Sequence, residues 1–421
     1  MAGQILKTNF SLDDKYTLFE GRVILSGIQA LVRLLLDQHR ADIIKGINTG
    51  TLVSGYRGSP VGTLDINLVK NKKILDEHNV KFIPGVNEDL GATLIYGSQM
   101  AGMVSNVKYD GVLGMWYGKA PGVDRSGDIF RHANFLGVGK NGGVLAVAGD
   151  DPSCKSSTLP SQSEPALFDA MMPIFYPGNV QEILDLGRYA YEMSRYSGLW
   201  SGFKIVTDIA DGFGSAFVDP QRVNITIPDF TYNGQPWKHT QNAKLVGHHS
   251  LPTEKEIHLG RITAAKHFLA SNPINKITVQ GDQDKFGIIT AGKTYYDVIE
   301  AFESLGWTTE YLNKVGIRIL KLGATFPVDS QIIDKFSKGL DEIFVIEEKR
   351  SFIEMLVKEE LYNKPVKPII VGKYDEDNNH LIPGYGELTA DSLTKILFKR
   401  YSEKMNIDSP NTKINILSEV D

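Results

Sequence analysis

Residues 80–103, VKFIPGVNEDLGATLIYGSQMAGM, decide the fold. A β-branched and aromatic run at 80–83 stops at a Pro-Gly pair, and helix-forming residues occupy 90–103. Asn87 between them is a preferred helix N-cap, because its side-chain oxygen can accept a free backbone N–H. The segment therefore predicts a strand that turns directly into a helix, which is the building unit of α/β domains.

The same alternation extends over the first half of the chain. Short apolar runs bounded by Gly or Pro predict further strands at 51–56, 111–116, 143–148 and 203–206. Apolar residues at helical spacing predict an amphipathic helix at 24–39, and a second helix is predicted at 180–197. We therefore expect residues 16–220 to form a doubly wound α/β domain with a mostly parallel sheet.

A second alternation follows a change in composition. Residues 221–270 carry Pro, Asn and His without a sustained period, so we interpret them as an interdomain connection that ends in a short helix. Strands are then predicted at 276–280, 287–291, 316–322, 342–347 and 368–371, with helices at 294–305, 329–340 and 352–362. These elements predict a second doubly wound domain at 271–375. Residues 376–421 are predicted to form a loop, one helix at 390–404 and a polar tail.

The composition excludes several classes of protein. Of the 421 residues, 42% are hydrophobic and 23% are charged, which is typical of a soluble globular chain. The net charge of -5, without a basic tract, offers no footprint for nucleic acid or an anionic membrane. No apolar run reaches the ~18 residues of a membrane span. We expect a cytoplasmic protein whose partners are small molecules or other proteins.

The chain has a single cysteine, Cys154. This count excludes an internal disulfide framework. It also excludes a Cys-ligated zinc or iron–sulfur site built by this chain alone, because such sites need several thiolates. We assign no metal ligand to the chain.

Ligands of open α/β sheets bind beyond the carboxyl ends of strands, and three polar turns follow predicted strands here. The first turn is GYRGSP at 55–60. Its glycines, Gly55 and Gly58, allow a ligand to approach the backbone, while Arg57 and Ser59 offer a charge and a hydrogen-bond donor. The same sequence is also typical of a plain turn.

The second turn contains Glu88 and Asp89, in the first turn of the predicted helix. A carboxylate there suits the positive end of the helix dipole, so a structural role is sufficient to explain both residues. The helix that follows has small residues on several sides. It therefore permits close approach by another helix or by a flat ligand.

The third turn is GKAPGVDRSGDIFRHAN at 118–134, which places Lys119, Arg125 and Arg131 among aspartates and glycines. A ligand with a carboxylate would find counter-charges here. A salt-bridged loop is the alternative, because Asp128 and Arg131 have the i,i+3 spacing of an ion pair.

Several longer motifs resemble those of a known family. They are GYRGSP, NEDLGA, GMWYGKAPGVDRSGDIFRHAN and GDDPSCKSSTLPSQSE in the first half, and GIITAGKTYYDVIEA, GIRILKLGATFPVD and EIFVIEEKRSFIE in the second. Over about residues 16–395 the chain resembles the N-terminal part of the long-chain indolepyruvate:ferredoxin oxidoreductases. These enzymes belong to the thiamine-diphosphate-dependent 2-oxoacid:ferredoxin oxidoreductase superfamily.

The resemblance implies a thiamine diphosphate pyrimidine-binding domain at 16–220 and a transketolase C-terminal-like domain at 271–375. In such enzymes a glutamate contacts a ring nitrogen of the aminopyrimidine, so that the exocyclic nitrogen can remove the C2 proton of the thiazolium ring. By its place in NEDLGA, that catalytic and cofactor-binding residue is Glu88. Gly55 and Gly58 are the further candidates for binding the cofactor.

The resemblance also implies residues that face the substrate. Ser59 stands where relatives carry a hydroxyl residue near the 2-oxoacid, and Lys119, Arg125 and Arg131 are candidates to hold its carboxylate. The implied reaction is oxidative decarboxylation of a 2-oxoacid such as indolepyruvate to an acyl-CoA. Electrons would then leave through iron–sulfur clusters to ferredoxin.

Modules for the cofactor's diphosphate with Mg2+, and for the iron–sulfur clusters, are expected in a partner chain or a missing segment. Their Gly-Asp-Gly and Cys-x-x-Cys motifs do not occur in this sequence. We therefore expect a homodimer or a complex with a diphosphate-binding chain. The alternatives are another thiamine-diphosphate decarboxylase or transferase, and a non-catalytic assembly subunit with the same fold.

Overall fold

Two largely parallel sheets organise the protein, whose computed structural model describes residues 11–244, 246–365 and 367–405. The strands are β1 (Gly21–Ser26), β2 (Thr49–Gly55), β3 (Val80–Phe82), β4 (Gly111–Lys119), β5 (Gly143–Asp150), β6 (Ile174–Phe175), β7 (Ser201–Val206), β8 (Phe213–Val218), β9 (Thr231–Tyr232), β10 (Gln235–Pro236), β11 (Lys276–Val279), β12 (Phe286–Ala291), β13 (Ile317–Leu322), β14 (Ala324–Phe326), β15 (Glu342–Ile346) and β16 (Ile369–Val371).

Helices connect these strands. The α-helices are α1 (Asp14–Thr17), α2 (Gly27–Ile44), α3 (Leu64–Lys70), α4 (Lys72–Glu77), α5 (Glu88–Ser98), α6 (Ala120–Arg125), α7 (Gly127–Leu136), α8 (Glu164–Asp169), α9 (Val180–Ser197), α10 (Thr207–Asp211), α11 (Gly247–Glu256), α12 (Ile262–Ser271), α13 (Gly292–Ser304), α14 (Thr309–Val315), α15 (Ser330–Ser337), α16 (Ile353–Tyr362) and α17 (Ala390–Met405). A 3-10 turn at Ala101–Met103 follows α5, and a π-helical turn at Ile257–Arg261 joins α11 to α12.

The first sheet has seven strands in the order β14-β6-β7-β5-β4-β2-β3. Its neighbouring strands are parallel, apart from the antiparallel pair of β14 and β6. Strands β5 and β7 are buried along their whole length, as expected for a parallel sheet with helices on both faces. Helix α5 packs on β2 and β4, and α9 packs on β5 and β7. We call this sheet and its helices the first domain.

The second sheet has five strands in the order β11-β13-β12-β15-β16 and is parallel except at its edge strand β11. Helix α17 lies against α13 and adds buried Leu393, Leu397 and Tyr401 to the core on that side. We call this sheet and its helices the second domain. The predicted fold class, two doubly wound α/β domains, is confirmed.

One hydrophobic cluster extends across both domains, beside a second cluster that belongs to the second domain. Strand β14 follows β13 in the chain but pairs with β6 of the first domain. At this boundary Phe168 makes edge contacts with Phe326 and Phe352, with ring centroids 4.9 and 5.8 Å apart. Buried residues from both domains, such as Phe175 and Leu320, belong to one hydrophobic cluster. Burial of this surface fixes the position of one domain on the other.

The prediction of an amphipathic helix at 24–39 was wrong in two respects: the helix begins later, and it has no solvent-exposed polar face of the expected size. Strand β1 takes its first residues and pairs antiparallel with β8. Helix α2 then begins behind a capping box formed by Ser26. It is buried on nearly all sides, including Arg33, whose Nε donates to Asp37 at 2.8 Å. The reason is that α9, α3 and α1 cover the faces that the pattern predicted to be solvent-exposed.

The predicted turn at 118–134 was wrong for most of its length. Helices α6 and α7 occupy it from Ala120 onward. Proline in the first turn of α6 favours a helix start, since its fixed φ is helical. In α7, Phe130 and Ala133 are buried on one face. The helical spacing of the few apolar residues was missed, because the charged residues on the outer faces make the segment polar overall.

Residues 221–270, predicted as a connection, contain the β9–β10 hairpin and helices α11 and α12. The predicted polar tail at 406–421 lies outside the described residues. Within the described part of the chain, no helix combines the length and apolarity needed to cross a membrane.

Candidate functional site

The carboxyl ends of β2, β3 and β4 meet at one edge of the first sheet, and Glu88 lies there as the first residue of α5. Asn87 caps the helix, because its Oδ1 accepts the N–H of Leu90 at 2.8 Å. The carbonyl of Glu88 accepts the indole N–H of buried Trp116 at 2.9 Å. The cap is therefore supplied by Asn87, and the side chain of Glu88 is left for another role.

Two glycines make room for the Glu88 side chain, which is 8% exposed. A Cβ atom at Gly122 in α6 would overlap Glu88 Cγ and would lie 3.0 Å from its Oε1. A Cβ atom at Gly118 in β4 would lie 3.3 Å from the same Cγ. The junction of β4 and α6 thus forms a wall against Glu88 that only small residues permit.

The Glu88 carboxylate has no hydrogen bond or ion pair with any residue that the structure describes. The Glu88 side chain is largely buried, but neither of its oxygens is among the fully buried polar atoms that lack a partner in the described residues, so the carboxylate is open to a ligand at the surface of the site. This side chain therefore suits a ligand that presents a donor or shares a proton, which is the chemistry of an aminopyrimidine ring nitrogen. On this observation the residues present fit the cofactor that the sequence predicted.

Gly55, predicted to bind the cofactor, allows α5 to approach the sheet. A Cβ atom there would overlap the carbonyl of Tyr117, and a Cβ atom at Gly91 would lie 2.9 Å from the Cα of Gly55. The N–H of Gly85 also donates to the Gly55 carbonyl at 2.9 Å. These close approaches bring the start of α5, and with it Glu88, to the edge of the sheet.

Gly58, also predicted to bind the cofactor, lies against Lys119. A Cβ atom at Gly58 would lie 3.0 Å from Lys119 Cδ. Lys119 is half-buried beside Gly118 and forms no ion pair with the described residues. It is therefore the predicted cation that the structure brings next to the wall around Glu88.

Ser59 contacts the loop that follows β5. Its Oγ is hydrogen-bonded to Ser156 Oγ, and Asp151 accepts the backbone N–H groups of residues 155, 156 and 157 at 2.9, 2.8 and 2.8 Å. Burial raises the pKa of Asp151, but these donors outweigh it and the pKa is lowered overall. The role of Asp151 in ordering this loop was missed from the sequence, because every residue type supplies a backbone N–H.

Arg125 and Arg131 are placed away from this cluster of contacts. Arg125 is exposed on α6, and Arg131 forms an ion pair with Asp169 while its side chain is 50% exposed. The predicted alternative, an ion pair between Asp128 and Arg131, was wrong. Asp128 instead lies 3.5 Å from His132, since both are on the same outer face of α7.

A buried polar cluster at the domain boundary was missed from the sequence. Lys204 of β7 donates to Glu164 at 2.5 Å, lies 3.7 Å from Asp150, and stands 4.5 Å above the ring of Tyr176. Burial raises the pKa of Asp150 to about 6, against the lowering effect of Lys204. The available signal was a lysine inside an otherwise apolar predicted strand.

The outer face of α5 is apolar and exposed. Leu90 and Leu94 are 46% and 40% exposed, and Val86, just before the helix, is 80% exposed. Gly97, one turn further along, has no atom near its Cβ position. An exposed apolar stripe beside a buried carboxylate is typical of a surface that a partner covers.

Comparison with known proteins gives a family-model match to the C-terminal part of the chain and relatives that match most of its length. Residues 275–403 match the family model described as indolepyruvate ferredoxin oxidoreductase middle domain. The indolepyruvate oxidoreductase subunit IorA of Pyrococcus abyssi is 26% identical over 90% of this chain and 52% of its own length. IorA of Methanothermobacter marburgensis is 23% identical over 79% of this chain and 48% of its own. The chain thus spans about half the length of these curated relatives.

Two solved structures share the fold. The 2-oxoglutarate:ferredoxin oxidoreductase of Magnetococcus marinus, solved with 2-oxoglutarate, coenzyme A and succinyl-CoA, matches with a TM-score of 0.64, at 15% identity, over 91% of this chain and 65% of its own. A split-gene transketolase, described as an inactive beta4 tetramer, matches with a TM-score of 0.51, at 11% identity, over 89% of this chain and 97% of its own. The sequence matches show that the chain is similar to indolepyruvate ferredoxin oxidoreductases, and the solved structures show that it shares their α/β fold.

Proposed function

We propose that the chain supplies the pyrimidine-binding and transketolase-C-like parts of a thiamine-diphosphate-dependent oxidoreductase. The proposed reaction converts a 2-oxoacid such as indolepyruvate and CoA into an acyl-CoA and CO2. The two electrons released by this oxidation pass to ferredoxin through iron–sulfur clusters outside this chain. The relatives named indolepyruvate oxidoreductase support the substrate class.

The observation that carries the proposal is the carboxylate of Glu88, which ends a largely buried side chain and has no partner among the described residues. It stands at the carboxyl edge of a parallel sheet, where such folds bind ligands. When bound, thiamine diphosphate supplies a carbon nucleophile for the 2-keto carbon and a sink for the electron pair that decarboxylation leaves. Glu88 is proposed to share a proton with the aminopyrimidine ring nitrogen.

The neighbouring residues are assigned by their contacts with this edge. Lys119 is half-buried and has no ion-pair partner among the described residues, so we propose that it binds the substrate carboxylate. Ser59 is held by the loop ordered around Asp151, and we propose that its hydroxyl faces the 2-oxoacid. Gly55 and Gly58 keep the strand-to-helix turn narrow beside the cofactor.

The partner is proposed to be a diphosphate-binding module that also provides Mg2+ and the iron–sulfur clusters. With Cys154 alone, this chain lacks the thiolates for a cluster. The exposed apolar stripe of α5 begins beside Glu88, so a module docked on this stripe would also close the site. Water would then be excluded from the shared proton.

A second candidate is a subunit with the same fold that is inactive by itself or serves another thiamine-diphosphate reaction. The match to a split-gene transketolase described as inactive favours this alternative, because that chain is matched over 97% of its length. The requirement for an electron acceptor distinguishes the proposed oxidative decarboxylation from the other thiamine-diphosphate reactions. Oxidative decarboxylation requires an acceptor for every turnover, whereas non-oxidative decarboxylation and ketol transfer do not.

The test is reconstitution of the purified chain with thiamine diphosphate, Mg2+, CoA, indolepyruvate and oxidised ferredoxin. We expect no turnover from the chain alone, and acyl-CoA formation coupled to ferredoxin reduction once the diphosphate-binding module is added. Turnover by the chain alone would contradict the proposed division of the enzyme. Aldehyde release without ferredoxin reduction would favour the second candidate.

A further inference from the structure

The loop at 151–163, between β5 and α8, joins Ser59 of the first domain to the second domain. The start of the loop turns around Asp151, which accepts the backbone N–H groups of residues 155, 156 and 157. On one side, the hydroxyl of Ser156 is hydrogen-bonded to the hydroxyl of Ser59, and Ser157 Oγ donates to the Ser59 carbonyl at 3.4 Å. The position of the Ser59 hydroxyl therefore depends on where this loop lies.

The other side of the 151–163 loop contacts the second domain. Ser153 donates its hydroxyl to Glu387 Oε2 at 3.1 Å, and Lys155 Nζ lies 2.9 Å from the same oxygen. Lys349, which follows β15 after two residues, donates to the carbonyl of Pro152. Residues 152, 153 and 155 thus all have partners in the second domain, and Glu387 supplies two of these three contacts.

The backbone that carries Glu387 is fixed by the next residue. Leu388 is buried, its N–H donates to Glu348 Oε1 at 3.0 Å, and its carbonyl accepts Lys293 Nζ at 2.9 Å. Glu348 lies just beyond β15, and Lys293 is in the first turn of α13. A side chain on a backbone held in this way can fix the position of the groups that it contacts.

Lys155 connects the two domains through its charge. Its Nζ lies 2.7 Å from Asp208 Oδ1 in α10 of the first domain and 2.9 Å from Glu387 Oε2. Two carboxylates on one ammonium group favour a single place for it. Loss of the Glu387 carboxylate would leave Lys155 with Asp208 and would release the loop from the second domain at this point.

The two domains are held together mainly by other contacts. Strand β14 pairs with β6, and one hydrophobic cluster crosses the boundary. The side chains of Lys155 and Glu387 are 42% and 22% exposed, and ion pairs of this kind add little to stability. A local role, in fixing the loop and the hydroxyl beside it, accounts better for these contacts.

We propose that Glu387 is a positioning residue for the reaction. Through Ser153, Lys155 and the 151–163 loop, it holds the Ser59 hydroxyl towards the 2-oxoacid. This role rests on the proposed function, in which Ser59 faces that substrate. It gives the second domain a part in substrate binding that is exerted through the first domain.

Steady-state kinetics of the assembled enzyme with indolepyruvate test this role, because an effect passed through Ser59 is lost when Ser59 is changed. Glu387→Ala should raise KM about five-fold with nearly unchanged kcat. Glu387→Gln keeps an oxygen acceptor and should raise KM only about two-fold. Ser59→Ala should itself raise KM about ten-fold, and Glu387→Ala should add nothing further in that background.

Hydrogen exchange of the purified full chain provides a second measurement, which needs no turnover. Glu387→Ala should speed amide exchange about ten-fold in peptides that cover residues 151–157, and exchange in β5 should stay unchanged. The matched control is Asp334→Asn, which changes another partly exposed carboxylate of the second domain, paired with Lys364 at 2.9 Å. This variant should leave both KM and loop exchange unchanged.

Three results would overturn the positioning role. They are unchanged loop exchange in Glu387→Ala, an unchanged KM in that variant, and a KM that rises equally with and without the Ser59 hydroxyl. Failure of the proposed function gives a different result, since the assembled wild-type enzyme would then show neither turnover nor exchange of the cofactor's C2 proton. Loop exchange would still test the contact of Glu387 with the loop in that case.

Discussion

Glu88 in the first domain and Glu347 in the second both lie where a parallel strand passes into a helix, Glu88 as the first residue of α5 and Glu347 directly after β15. Both side chains are buried, at 8% and 6% exposure. The Glu347 carboxylate accepts the backbone N–H groups of residues 352, 353 and 354 at 3.0, 2.8 and 3.0 Å. Glu88 has no such donor among the described residues. Similar strand-to-helix junctions in the two domains thus hold a carboxylate that caps a helix in one and a carboxylate without a partner among the described residues in the other.

The surroundings of the two glutamates also differ, because the sheet edge in the second domain is covered and the sheet edge beside Glu88 is exposed. At the carboxyl edge of the second sheet, the crevice between β12 and β15 is filled by the first domain, because a Cβ atom at Gly292 would overlap the ring of Tyr176. The edge beside Glu88 has an exposed apolar stripe instead. The comparison teaches that strand order alone does not make a ligand site, since a neighbouring domain can occupy the crevice.

The largest effect is expected from Glu88→Gln in the assembled enzyme. The amide cannot share a proton with the cofactor ring, so kcat should fall about a thousand-fold, while the melting temperature stays nearly unchanged. Activity and exchange of the cofactor's C2 proton are the measurements. Asp89→Asn, which changes the adjacent carboxylate, is the control and should keep both. Unchanged C2 exchange in Glu88→Gln would contradict the assignment.

Glu347→Ala is expected to lower stability, whereas Glu88→Gln is expected to lower activity. It leaves buried N–H groups of α16 without acceptors and should lower the free energy of unfolding by about 3 kcal/mol. Urea denaturation of the purified chain measures this change. Glu359→Ala, on the exposed side of the same helix, should cost less than about 0.5 kcal/mol. Equal losses of unfolding free energy in the two variants would contradict a capping role for Glu347.

The pH dependence of stability sharpens the contrast. Burial raises the pKa of Glu347 to about 7, against its N–H donors and Lys373. An unfolded chain releases this proton near pH 4.5, so between these values the folded state retains a proton that the unfolded state has lost. Stability relative to Glu347→Gln should therefore fall by about 2 kcal/mol as the pH rises from 4.5 to above 7. Denaturation of both proteins across this range measures it, and a rise would show that the donors dominate.

Gly122→Ala tests the wall around Glu88 with a smaller expected effect. The added methyl group would displace the Glu88 side chain, and we expect about ten-fold lower kcat/KM with little change in cofactor-free stability. The control is Gly247→Ala in α11, where no atom lies near the Cβ position. If both variants retain full activity, the position of the Glu88 carboxylate is less restricted than the contacts indicate.

Much of the fold could be predicted from local sequence, whereas the contacts of the site could not. Strand-to-helix alternation was visible at 80–103 because turn residues separate short apolar runs. Helix α2 was misjudged because burial of Arg33 depends on Asp37 and on helices distant in the chain. Glu88 was found through a motif. Its lack of a partner and its contact with Gly122 arise only from folding.

Strand β14 limits how the two domains can be separated or exchanged. It belongs to the second half of the chain, yet it forms the outer strand of the first sheet. Cleavage between α12 and β11 would leave β6 with unpaired backbone groups at a new sheet edge, which is a template for aggregation. Recombination that exchanges the second domain among relatives must therefore carry a strand that fits β6. The two halves are expected to be transferred, expressed and degraded as one unit.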